Sequence, residues 1–290
     1  MVLPYHERMN RSWHIGGGRT LPIGERTLVM GILNVSPDSF ADTRTACDVG
    51  AFVARALRME ADGADIIDLG GESTRPGAEL VSAAVERDRV MPVLEALAGR
   101  LRIPLSIDTS KAAVANAALS AGAAMVNDVS GLRRDPELSQ VVAAAGAALV
   151  IMHGRGTPRT MSVEAVYDDL MADVAGELRE SVSLATAAGV PIERIIVDPG
   201  VGFAKRPSHS YGVLARLPEL AVALARPILV GPSRKSFMRE ALGGRPAPER
   251  DWGTAAAVTA AVLGGAHIVR VHAVAEMVQV VRVAEEIRRH

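Results

Sequence analysis

Cysteine occurs once in 290 residues, at Cys47, which excludes a disulfide framework and any metal site built from cysteines. Aromatic residues make up 3% of the chain, too few for the stacking platforms that bind single-stranded nucleic acid. An excess of one charge sign is missing as well. The 32 Lys and Arg stand against 33 Asp and Glu, a net of −1, which excludes a strongly basic nucleic-acid binder. The opening MVLPYHERMN lacks the apolar core of a signal peptide. The most apolar stretch, 253–269, is rich in Ala and Gly, carries Thr254 and Thr259, and is too short to span a bilayer. Together these absences predict a soluble, cytoplasmic protein. Lysine is scarcest among the charged types: only Lys111, Lys205 and Lys235 stand among the 32 basic residues.

What is present is apolar. Hydrophobic residues are 49% and charged residues 22%, enough to bury a sizeable core, and the length suits one large α/β barrel better than two small domains. Short β-branched runs alternate with longer stretches of helical period. The runs are TLVMGILN (27–34), DIIDLG (65–70), PLSIDT (104–109), AAMVNDV (123–129), AALVIMH (147–153), ERIIVDP (193–199), RPILVGPS (226–233) and HIVRVH (267–272). Helical stretches include 50–62, 82–100, 111–121, 163–188 and 254–263, with a closing helix over 274–287. Gly63, Gly122, Gly146, Gly189 and Gly265 stand just before the next run, where a helix ends. Eight such units without a linker predict a (β/α)8 TIM barrel over 27–290, with residues 1–26 as an N-terminal hairpin or cap.

Each run is apolar until its C-terminal end and then delivers a polar group: Asn34, Asp68, Asp108, Asn127 with Asp128, His153, Asp198, Lys235, and Arg270 with His272. In a barrel these ends share one face, where catalytic groups collect. All three lysines also fall just past strands, and Arg does not replace Lys where a compact ammonium is required. His153 reads as a structural strand-end residue. The loops LNVSPDSFAD and GGESTRPGA are rich in Gly, Ser, Thr and Pro and suit an anion, with Arg75 and Arg270 as guanidinium forks. Asn34 with Asp38 or Asp42 suits a phosphate-bound Mg2+. Asp108, Asn127 and Asp198 combine carboxylates with an amide, which complements a flat heterocycle bearing a ring N–H beside an exocyclic amine. The competing expectation is that Asp108 and Asp198 simply pair with neighbouring Lys or Arg.

From about residue 27 to 287 the chain closely resembles the dihydropteroate synthase family. The resemblance is carried by MGILNVSPDSFAD, DLGGESTRPGA, IDTSK, NDVSG, MHGRGTP, DPGVGF, GPSRKSF and GAHIVRVH, in family order and at family-like spacing. It implies condensation of 6-hydroxymethyl-7,8-dihydropterin diphosphate with p-aminobenzoate by an SN1-like path, with Mg2+ as cofactor. It puts the pterin against Asp108, Asn127, Asp198 and Lys235, and the diphosphate against Asn34, Arg270 and His272, with Mg2+ held by Asn34 and Asp42. The same resemblance puts p-aminobenzoate against Phe40, Thr74, Arg75, Pro76, Phe203, Lys235 and Ser236. Asp108, Lys235, Arg270 and His272 would carry the chemistry, and the family is commonly a homodimer through its outer helices. Three positions depart from the usual pattern: Ala273 after RVH, Val201 in DPGVGF, and DTRTACD in place of a Gly-Gly after Asp42. They bear on the anion site, the floor near the amine and the first loop, and leave both sulfonamide sensitivity and resistance open. A catalytically lapsed pterin-binding paralogue, a methyltetrahydrofolate:corrinoid methyltransferase and a Schiff-base aldolase using Lys235 share parts of the pattern. The methyltransferase needs neither SRKSF nor the Arg270/His272 anion site, and the aldolase leaves the anion loops without a purpose.

Overall fold

All eight β-branched runs lie side by side as parallel strands in the computed structural model of the chain, which describes residues 11–35 and 48–290. An antiparallel hairpin of β1 (Arg11–His14) and β2 (Thr20–Ile23) comes first. Then follow β3 (Leu28–Asn34), α1 (Val49–Ala61), β4 (Ile66–Gly70), α2 (Ala83–Leu97), β5 (Leu105–Asp108), α3 (Ala112–Ser120) and β6 (Met125–Asp128). The chain continues through α4 (Leu138–Ala144), β7 (Ala148–Met152), α5 (Leu170–Ala187), β8 (Ile195–Asp198), α6 (Pro207–Ala215) and α7 (Leu217–Leu224). It ends with β9 (Leu229–Val230), α8 (Asp251–Leu263), β10 (Ile268–Val271) and α9 (Val274–Arg289). Strand order is β8-β7-β6-β5-β4-β3-β10-β9, and a single parallel bridge, Val197 to Ile228, joins the two ends. The sheet is therefore a closed barrel of eight, as the alternation of runs predicts.

Strands buried on both faces read as unbroken apolar runs, because a helix covers one face and the barrel interior the other. Two hydrophobic layers result. Leu28, Met30, Ile66, Met125, Val150, Ile196, Leu229 and Ile268 fill the interior. Trp13, Ile15 and Ile23 of the hairpin join that same cluster. The Trp13 Nε1 donates to Arg194 O at 3.0 Å and the Gly16 amide to Ala124 O at 2.8 Å, both acceptors lying before a strand begins. The hairpin thus plugs the N-terminal end of the barrel and leaves the C-terminal end for chemistry.

The second layer lies between strands and helices. In α1, Phe52, Val53, Ala56 and Met59 recur at helical spacing and face the strands, while Asp48 caps the helix by accepting from the Ala51 amide. The five glycines expected to end helices all have positive φ, from 58° to 106°. Helix α5 begins at Leu170 rather than near 163. Asp169 accepts from the Met171 and Ala172 amides and sets its start, while Tyr167 before it donates to Ala204 O at 2.8 Å. Helix α8 begins three residues early, at Asp251, whose carboxylate takes Arg234.

Ala273 is the N-cap of α9 and supplies no side-chain cap. Ala cannot satisfy a first-turn amide, whereas Ser or Asp at an N-cap contributes about 1 kcal/mol. The A273S variant is expected to raise unfolding free energy by that amount in urea titration. An unchanged or lower midpoint would show that the first-turn amides of α9 already have partners.

Candidate active site at the strand ends

Asp68 organises the centre. It is fully buried within β4, and its Oδ2 accepts from Asn127 Nδ2 at 2.9 Å and from Arg270 Nε at 2.6 Å. Arg270 Nη2 reaches Asp108 Oδ2 at 2.6 Å, so one guanidinium holds two carboxylates. Burial outweighs the guanidinium and raises the Asp108 pKa, with Asp68 adding repulsion. Because a carboxylate only accepts, Asp68 turns the Asn127 amide so that its oxygen stays free for a ligand N–H. The pairing of Asp108 with a neighbouring Arg is thus realised, and it leaves the second Asp108 oxygen as an acceptor.

Across the barrel, Asp198 ends β8 and accepts from the Gly200 amide at 2.7 Å. Burial raises its pKa, opposed first by Lys235. Lys235 donates to Val201 O and lies 4.4 Å from the Phe203 ring centroid. Burial brings its pKa down to about 8, with Asp198 holding it up. Two glycines make this approach possible. A Cβ on Gly200, at φ 68°, would sit 1.9 Å from His153 O, and one on Gly202 would sit 2.9 Å from Lys235 Cδ. Val201 itself is fully buried beneath the helices, so the departure there alters core volume and offers the site only a carbonyl, not a changed floor for an amine.

The segment GPSRKSF is fixed residue by residue. Ser233 Oγ lies 2.9 Å from His272 Nδ1 and accepts from the His272 amide at 3.2 Å. Burial, aided by the guanidiniums of Arg234, Arg270, Arg55 and Arg75, pushes the His272 pKa down to about 3. His272 is therefore a neutral N–H donor set in a positive field, not a cation. Arg234 forms a two-pronged pair with Asp251, at 2.7 Å for each prong.

Asn34 ends β3 beside these groups: a Cβ on Gly70 would lie 3.4 Å from both Asn34 Oδ1 and Asp108 Cβ. Its amide oxygen is a hard donor of the kind Mg2+ takes. Among the described residues no group of three His, Cys, Asp or Glu could hold a metal. Asn34 is the described residue that could meet such an ion.

Thr74, Arg75 and Pro76 lie on the 71–82 segment, with Arg75 and Pro76 exposed. Glu72, whose role had no signal in the sequence beyond its motif, anchors this segment. It accepts from the Val81 amide, Lys111 Nζ and Arg134 Nη1 at 2.8, 2.8 and 2.9 Å. Lys111 also binds Glu86, so it is spent on holding the loop. Ser236 is exposed at the rim, whereas Phe40 and Asp42 lie outside the described residues. Asp128 is taken by the Ser130 and Leu132 amides. A cavity of about 160 Å³ under the hairpin is lined by Gly, Ala, Leu119 and Arg19. It offers no acid or base and lies at the opposite end of the barrel.

The sequence profile described as "Pterin binding enzyme" matches residues 30–272. A dihydropteroate synthase of Synechocystis is 47% identical over 266 residues, covering 92% of this chain and 92% of that protein. The Yersinia pestis dihydropteroate synthase in a sulfonamide drug complex superposes with TM-score 0.89 at 42% identity, covering 95% of this chain and 98% of that one. Xanthomonas albilineans dihydropteroate synthase with 4-aminobenzoic acid gives 0.88 at 41% identity, over 96% and 99%. With the profile spanning every strand-end group from Asn34 to His272, the chain belongs to the dihydropteroate synthase family of pterin-binding enzymes.

Proposed function

We infer that this chain joins 6-hydroxymethyl-7,8-dihydropterin diphosphate to p-aminobenzoate, giving 7,8-dihydropteroate and diphosphate. The observation that carries the reading is one cluster in which acceptors and an ammonium face an arginine-rich rim. Asp108, Asn127 and Asp198 present oxygens to the ring N–H and exocyclic amine of the pterin, and Lys235 donates to a ring acceptor. The neutral His272 N–H, Asn34, Arg75 and the uncommitted Nη1 of Arg270 face the diphosphate.

The reaction breaks the bond between the pterin methylene carbon and the diphosphate oxygen, which leaves with the electron pair. Donors aimed at that oxygen stabilise the charge it gains. The ionised Asp108 favours positive charge on the electron-rich pterin, which suits a dissociative, SN1-like path. The arylamine nitrogen then bonds to the methylene and gives up a proton. Phe203 and Lys235 form its wall, with Ser236 at the rim and the segment carrying Thr74, Arg75 and Pro76 above; the resemblance adds Phe40. Mg2+ carried in on the diphosphate, met by Asn34 and by Asp42, would neutralise the leaving group.

The reading extends to a cytoplasmic homodimer. No described helix is long and apolar enough to cross a membrane. Trp252 and Leu263 of α8, with Val283 and Ile287 of α9, are exposed apolar groups on two helices that pack together, a surface suited to a second copy.

Diphosphate release should be measured with the pterin diphosphate and Mg2+, with and without p-aminobenzoate, and with a sulfonamide. Release that depends on the amine and is slowed by the sulfonamide is expected. Pterin binding without release would mark a lapsed paralogue, and amine-dependent release that ignores the drug would mark a resistant variant.

A further inference from the structure

The 198–205 turn supplies Asp198 and Phe203 to the site, and its backbone is gripped at nearly every residue. Lys235 takes Val201 O, Ser210 Oγ accepts from the Gly202 amide at 3.2 Å, and Tyr167 donates to Ala204 O at 2.8 Å. Lys205 takes Phe203 O at 3.3 Å. Ala204 between them holds φ 44°, a left-handed value that a residue with a Cβ keeps only when its neighbours impose it.

Lys205 is buried, and the binding of pterin and arylamine described above gives it no part. Its Nζ lies 2.7 Å from His153 Nδ1, and His153 Nε2 lies 3.3 Å from Glu177 Oε2. Burial, with Lys205 next, holds the His153 pKa down at about 4, so the ring is neutral and Lys205 is the donor at Nδ1. The imidazole Nε2 packs against Glu177 without completing a hydrogen bond, and Glu177 pairs with Arg133 at 2.8 Å and with Arg155. Arg155 lies 4.3 Å from the Tyr167 ring centroid, so both grips on the turn trace back to one ion cluster. Charged and titratable groups facing Lys205 are Asp198, Lys235, Glu177, Arg155, His153 and His209.

We propose that Lys205, braced by His153 and Glu177, is a positioning residue for pterin binding: it holds the Phe203 carbonyl and faces the Asp198 carboxylate, acting on the ligand through both. A lysine meets this need where arginine does not, because a single compact ammonium must reach a ring nitrogen and a carbonyl from a buried stem. That accounts for one of only three lysines in the chain surviving here.

The inference rests on the pterin reading, so wild-type binding of 6-hydroxymethylpterin by calorimetry is the control. Absence of wild-type binding would overturn the pterin reading itself. With wild-type binding in hand, K205M is expected to weaken pterin affinity and raise the KM for pterin diphosphate about tenfold, within the 100-fold that a 1 Å misplacement costs. H153N retains an acceptor near Nδ1 and should bind within about twofold of wild type, whereas H153L should follow K205M. A K205M protein with lower Tm but unchanged pterin affinity and KM would overturn the proposal. If K205M does not fold, equal pterin binding by H153N and H153L would overturn it as well.

Discussion

Replacing Arg270 by Met is expected to lower the unfolding free energy by roughly 3–5 kcal/mol, the range for removing one partner from a buried ion cluster. The change strands Asp68, fully buried, and Asp108 close together without a counter-charge. The loss should be recovered in large part by R270M/D68N/D108N, since neutral amides in those places no longer repel. Urea unfolding of wild type, R270M and the triple variant forms the test, together with their turnover. Turnover should not return with stability, because the recovered protein lacks both the carboxylate beside the pterin and the guanidinium Nη1 at the rim. An R270M protein that unfolds at the wild-type midpoint would show that water already screens this cluster.

The second large effect concerns pH and Lys235. Burial pulls the Lys235 pKa down to about 8, so its charge is mostly present at pH 7 and is lost as pH rises through that value. The Asp108 pKa is raised, so its negative charge is lost as pH falls through the raised value. The kcat/KM for pterin diphosphate should therefore be bell-shaped, with Asp108 on the acid side and, on the alkaline side, Lys235 together with the positioning Lys205, whose pKa burial brings down to about 7. His272 adds no limb, being neutral throughout. K235M should remove the part of the alkaline limb near pH 8, leaving the fall set by Lys205, and weaken pterin binding roughly 10- to 200-fold, equivalent to the 1.5–3 kcal/mol of a hydrogen bond to a charged group. A K235M profile that still falls near pH 8 would assign that limb to another group.

The eight strands were legible because each is a short apolar run that a polar residue ends, and a glycine introduces five of them. The site was legible for the same reason: Asp108, Asn127, Asp198 and Arg270 interrupt otherwise apolar strands, and strand direction sends them all to one end. Their partnerships were not legible. Asp68 and Arg270 are 202 residues apart in the chain and Arg270 and Asp108 are 162 apart, so no local pattern could report that one guanidinium holds both carboxylates. The start of α5 was misplaced because the residues before it keep helical composition, while Asp169 and the loop contacts of Tyr167 decide the boundary. Val201 stands inside a site motif, yet its side chain is buried in the core cluster.

The barrel is a hoop with one weak fastening. Seven of its eight junctions are ladders, but between β8 and β9 only the Val197–Ile228 bridge closes the ring. Local opening is easiest where such bonds are fewest. Lys235 follows β9 and Val201 follows β8, so their contact crosses that junction like a buckle. The ammonium that greets the substrate is thereby also a clasp on the open side of the ring, and whatever engages Asp198 and Lys235 together draws the clasp tight.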